Sequence, residues 1–147
     1  MDILSIFSNQ LKEVMEEHEI KTVALAKALG VRHSTISNYV NGKQLPNVEI
    51  LIKIVDYFNC SANSLFGLQE HSSSNKFIKC SQPFKERFPQ ILEKLGVTKY
   101  RLEHEAHLPQ SAIYSWQSGR TAPSVESLYK IAKTYDISLD YLVGREK

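Results

Sequence analysis

Apolar residues recur along this chain at helical spacing, and no stretch shows the strict alternation of a half-buried strand. Phe7, Leu11, Val14, Met15 and His18 form an i, i+4, i+7 stripe, which predicts a first helix with those residues inward. Lys21 or Thr22 opens a short second helix whose apolar face is Leu25, Ala26 and Leu29. Gly30-Val31 stops it, because glycine tolerates the positive φ of a helix-ending turn. A third helix is predicted over 34–41 with Ile36 and Tyr39 inward, ended by Gly42. Pro46-Asn47 starts a fourth, carrying Val48, Leu51, Ile54, Val55 and Phe58. Ser61 can cap a last short helix that carries Leu65.

The same pattern then returns. Shifting the sequence by 77 residues lays 7–67 on 84–144 without a gap, with 15 of 61 positions identical. Gly42 falls on Gly119, Pro46 on Pro123, Leu51 on Leu128, Ile54 on Ile131, Leu65 on Leu142 and Gly67 on Gly144. Turn residues and apolar positions repeat together, so the fold repeats and not merely the composition. The second copy accordingly predicts helices over 84–95, 99–106, 110–118, 124–135 and 138–142. The expected fold class is all-α: two tandem five-helix domains, residues 1–68 and 83–147, joined by a linker over 69–82. Ser72-Ser73-Ser74-Asn75 at the linker's centre is polar and featureless. Phe77 and Ile78 break that pattern and are expected to dock on a domain surface.

Composition narrows the class of protein. With 42% apolar and 23% charged residues, the chain reads as globular rather than disordered. No apolar run approaches the roughly 18 residues that a membrane helix needs, so no membrane association is expected. The start of the chain lacks a basic segment and a long apolar core, which predicts no signal peptide and a cytoplasmic location. Cys60 and Cys80 make neither a CxxC pair nor a disulfide framework. Cys60 is expected as a small core hydrophobe and Cys80 as a linker thiol. The net charge of +2 is unevenly spread: residues 1–70 hold 6 Lys and Arg against 8 Asp and Glu, and residues 71–147 hold 12 against 8.

The second and third helices of copy one, residues 22–41, make a helix-turn-helix pattern. Such a unit needs apolar residues where two helices cross steeply, a small residue at the closest approach, and a turn residue free of Cβ strain. Leu25, Leu29, Val31, Ile36 and Tyr39 supply the first, Ala26 the second and Gly30 the third.

On the stretches LAKALGVRHSTISNYVNGKQLPNVEILIKI and IYSWQSGRTAPSVESLYKIAKTYDISLDYLVG, the chain resembles the Cro/C1-type (XRE-like) helix-turn-helix repressors. The resemblance implies two lambda-repressor-like DNA-binding domains, with motifs near 22–41 and 99–118, whose third helix lies in the major groove. It also implies a transcriptional regulator, chiefly a phage-type repressor acting on paired half-sites of double-stranded DNA. With Ile36 and Tyr39 inward, the outer side of the third helix carries His33, Ser34, Thr35, Ser37 and Asn38, short polar groups suited to base edges. Thr22, Arg32, Asn41 and Lys43 flank that surface and suit phosphates. Residues 21–48 contain no acid, so this surface is locally cationic although copy one is net negative.

In copy two, Gln110, Ser111, Tyr114 and Ser115 take the base-reading slots, and Lys99, Arg101, Ser118 and Arg120 the phosphate slots. Two departures weigh against it. Glu103 stands where copy one has Ala26, and His107 where it has Gly30. Glu103 must bend outward or prop the helices apart, and His107 must adopt a positive φ at a cost. The second copy therefore either reads DNA or serves as a dimerisation or protein-partner module, as in an antitoxin or anti-defence factor. A homodimer is expected through one copy, unless a single chain spans both half-sites.

His104 and His107 do not make an HExxH motif, and no third ligand is apparent, so no metal is expected. Trp116, in the slot of Tyr39, is expected in the core. The sequence shows no Gly-rich phosphate loop, nucleophile elbow or paired-carboxylate signature; neither a cofactor nor enzymatic activity is expected.

Overall fold

Three helix starts in the first half are capped by the side chain of the residue before them. In a computed structural model, which describes residues 2–69, 77–79 and 82–146, α1 (Ile3–Glu17) begins after Asp2, whose carboxylate accepts the Ser5 N–H at 2.8 Å. α2 (Thr22–Leu29) ends at Gly30 in the left-handed region (φ 72°). α3 (His33–Val40), α4 (Val48–Phe58) and α5 (Ala62–Leu65) follow. Asn47 and Ser61 cap the last two through their side chains, and Asn59 closes α4 at φ 51°. The second half holds α6 (Phe84–Leu95), α7 (Lys99–Glu105), α8 (Gln110–Ser118), α9 (Val125–Tyr135) and α10 (Leu139–Val143). Thr98, Ser124 and Ser138 cap α7, α9 and α10, and Asp136 at φ 50° repeats the αL stop of Asn59. Among the described residues there is no strand, and no helix is long and apolar enough to cross a membrane.

Contacts divide the chain into two compact units, Met1–Asn75 and Lys76–Lys147. In the first, Phe7, Leu11, Leu25, Ile36, Leu51, Ile54 and Val55 are fully buried. Phe7 stacks on Phe66 at 5.1 Å and meets Tyr39 edge-on at 6.0 Å, while the Ser8 hydroxyl donates to the Val40 carbonyl. These contacts hold the far end of α3 against α1. The second unit reproduces the device: Phe84, the counterpart of Phe7, meets Trp116 edge-on at 6.0 Å, and Trp116 is buried.

Several expectations need adjustment. His18 is not part of the inward stripe of α1; it is exposed and caps the helix, its Nδ1 3.0 Å from the Val14 carbonyl and its ring edge-on to Phe58. The Val14 carbonyl also accepts the His18 backbone N–H at 3.1 Å, so the imidazole adds a second contact to it. The third helix starts at His33 rather than 34, and Ser124 and Ser138 are caps rather than first helical residues. Cys60 is half-buried, at the margin of the core rather than in it. Cys80 and most of the linker lie outside the described residues.

Phe77 and Ile78 dock on the second unit. The Phe77 ring lies 3.8 Å from the Arg145 guanidinium, and the Ile78 N–H donates to the Arg145 carbonyl at 2.8 Å. Arg145 is only 2% exposed and pairs with the equally buried Asp140 at 2.6 Å. A buried charge needs a partner and a dry cover; Asp140 is the one and Phe77 helps form the other. The second unit thus takes in residues before 83 that the repeat alone leaves in the linker.

Candidate nucleic-acid interface

In the first unit, Leu25, Ala26, Leu29 and Ile36 are buried where α2 meets α3. The Val31 N–H returns to the Ala26 carbonyl at 3.0 Å, so the turn through Gly30 closes on the small residue beneath it. Apolar residues holding one side of α3 leave the other side outward. His33 and Ser34 are exposed there, and Thr35, Ser37 and Asn38 are half-buried.

The flanking residues gather around this edge. Thr22, the first residue of α2, places its Oγ1 3.0 Å from His33 Nε2, the first side chain of α3. Lys21 and Arg32 occupy the two N-cap positions and make no side-chain cap hydrogen bond, so the first N–H groups of both helices stay open to an anion. The Asn41 amide donates to Ser37 Oγ at 3.3 Å. Gly42 (φ 70°) turns the chain so that the Lys43 N–H reaches the Asn38 carbonyl at 2.9 Å, leaving the Lys43 side chain exposed.

The second unit builds the same turn from different residues. His107 adopts φ 55°, and the Leu108 N–H bonds the Glu103 carbonyl at 3.0 Å, matching Val31 and Ala26. Glu103 is half-buried rather than flush against the next helix. Ala106, in the slot of Leu29, is 2% exposed, so the small residue of this unit sits one turn later along the helix. Sequence reasoning weighed Glu103 and missed Ala106; exchange of large and small residues between the two slots was the available signal.

Outward on α8, Gln110, Ser111 and Tyr114 are exposed and Ser115 is half-buried. An open groove is lined by Ser111, Tyr114, Ser115, Gln117, Ser118 and Arg120. Gln117 was absent from the expected site, yet its Oε1 accepts from the Lys99 ammonium at 2.7 Å. The Ser118 hydroxyl donates to the Ser115 carbonyl at 3.1 Å and accepts the Arg120 N–H at 3.4 Å.

Arg101 is drawn elsewhere. It pairs with Glu105 at 3.2 Å, and Glu105 also accepts the Tyr135 hydroxyl of α9 at 2.8 Å. The two hydrogen bonds, Tyr135 first, lower the Glu105 pKa below the usual carboxylate value. Burial, reinforced by the Glu105 carboxylate, pushes Tyr135 up to about 12.

Both units are thus compact helical bundles carrying a helix-turn-helix whose second helix turns a polar edge outward. The helix-turn-helix family model matches residues 11–65 and 90–142, the two repeats, and the chain belongs to that family. The two helix-turn-helix matches make it a DNA-binding protein. Over 64 residues it is 30% identical to an HTH-type transcriptional activator, BcrR, of Enterococcus faecalis, covering 44% of this chain and 31% of that protein. The chain therefore spans about a third of the length of that relative. No solved structure matches the chain.

Proposed function

We propose that the protein regulates transcription by binding paired half-sites, with α3 reading bases for the first unit and α8 for the second. The observation that carries this is the outward edge of α3, where Thr22 and His33 join two uncapped helix starts within an acid-free stretch. His33, Ser34, Thr35, Ser37 and Asn38 read base edges, and Asn38 has the donor–acceptor pair that adenine requires. Thr22, Arg32, Asn41 and Lys43 hold phosphates and set the register. In the second unit Gln110, Ser111, Tyr114 and Ser115 read bases, while Lys99, Ser118 and Arg120 hold phosphates. Arg101, tied to Glu105, contributes charge but is the weakest phosphate ligand of the set.

Half-sites on one face of DNA lie about 34 Å apart. One chain with both units engaged, or a homodimer, supplies two reading helices. The Enterococcus faecalis relative is described as a transcriptional activator, which supports transcription as the process. Covering a promoter needs no contact with polymerase, so repression is the sign we assign. The test selects bound duplexes from random sequence and places the winning site across a reporter promoter. Repression is expected; activation from a site upstream of the promoter would reverse the sign.

A second reading has its own support. Half-buried Glu103 and the Arg101–Glu105 pair lower the positive charge beside α8. They favour a second unit that binds a protein partner or a second copy of the chain. Arg120→Ala separates the two readings: a lower salt slope of DNA binding places the second unit on DNA, and an unchanged slope does not.

A further inference from the structure

Six of the chain's seven tyrosines have a partner within their own unit. Tyr39 packs on Phe7, Tyr57 on Phe58 and Tyr100 on His104; Tyr129 and Tyr141 lie under Lys133 and Lys94, and Tyr135 bonds Glu105. Tyr114 stands apart: it is 56% exposed and has no ring, ion or hydrogen-bond partner among the described residues. It rises from the outer face of α8 beside a groove whose other walls are serines, Gln117 and Arg120. Residues 106–125 contain no acid. A ring meant for a protein partner usually sits within an apolar patch; this one is ringed by hydrogen-bonding groups and a cation, which complement nucleic acid.

We infer that Tyr114 gives the second unit a preference for thymine at one position of its half-site. This rests on the reading of α8 as a major-groove helix. A helix in that groove meets base edges and not base faces, so an aromatic ring has no stacking surface there. Of the four bases, thymine alone shows an apolar group at that edge, its C5-methyl, and apolar side chains pair with it. The counterpart of Tyr114 in the first unit is Ser37, which offers no such surface. The two half-sites therefore differ, and the thymine falls on the side read by the second unit.

The test uses the intact chain and duplexes it selects from random sequence. Each thymine in the footprint is replaced in turn by deoxyuridine, which removes only the methyl. At one thymine the exchange should weaken the unaltered chain about fourfold, the worth of one buried methyl. Tyr114→Phe, which keeps the ring, should show the same loss, and Tyr114→Ala should bind both duplexes equally at that position. The inference is overturned if Tyr114→Ala keeps the full preference for thymine. It is equally overturned if no position prefers thymine while Arg120→Ala still weakens binding. If Lys99→Ala and Arg120→Ala both leave affinity and footprint unchanged, the underlying reading has failed and Tyr114 is a protein anchor.

Discussion

Thr22 Oγ1 and His33 Nε2 lie 3.0 Å apart, joining the first residue of α2 to the first residue of α3. The bond sits on the surface, so its contribution to stability is small, but it fixes the two helix starts relative to each other at the centre of the proposed DNA interface. Thr22→Val keeps the side-chain shape and removes the hydroxyl. It should weaken operator binding by about 1 kcal/mol, the net worth of one hydrogen bond, with little change in the unfolding midpoint. A gel-shift titration beside a denaturant melt checks both halves; equal losses in the two would make the bond merely structural.

Asn38 and Lys43 should separate reading from anchoring. Asn38→Ala is expected to cost roughly 1–3 kcal/mol at its own base position and to relax preference there. Lys43→Ala should weaken all sequences alike and lower the salt slope by about 1. Affinities across single-base operator variants at two salt concentrations decide it, and an Asn38→Ala protein with unaltered preference would mean that α3 is turned differently.

Gly30 and His107 hold the same left-handed turn at φ 72° and 55°. Nothing lies within 4 Å of a Cβ placed on Gly30, so Gly30→Ala should cost only the backbone penalty, about 1 kcal/mol. His107→Gly should go the other way and stabilise the second unit by roughly 0.5–1 kcal/mol, the relieved strain exceeding the entropy glycine adds to the unfolded chain. Urea unfolding of the two variants should show midpoints displaced in opposite directions.

Asp140 and Arg145 form a buried pair closed over by Phe77. Asp140→Ala leaves the guanidinium without its counter-charge and should destabilise the second unit by about 3–5 kcal/mol. Calorimetry should show one unit's transition lowered and the other's in place.

Tyr135 and Glu105 give the second unit opposite pH limits. The raised Tyr135 pKa means its contribution is complete below about 10 and lost as pH climbs through about 12. The lowered Glu105 pKa means its contribution is present above the ordinary carboxylate value and lost as pH falls through the folded one. Melts of the unaltered chain and Tyr135→Phe should therefore stay a constant distance apart up to about pH 10 and converge as pH climbs towards 12; a separation unchanged across that range would remove the Glu105 link.

The amino-acid sequence alone determined the all-α class, the duplication, the helix order and the outward polar edge of α3. These rest on local rules: helical periodicity, capping by Ser61, and glycine at αL stops such as Gly30. Tertiary structure decided what depends on partners distant in sequence. Ala106 takes over the role of Ala26 because packing between α7 and α8 is set by volume at two slots together. Phe77 belongs to the second unit because Arg145 needs cover, and Arg101 is engaged by Glu105, whose other oxygen accepts Tyr135, 30 residues further along. Periodicity reports which side of a helix is buried; only the folded chain reports which residue meets it there.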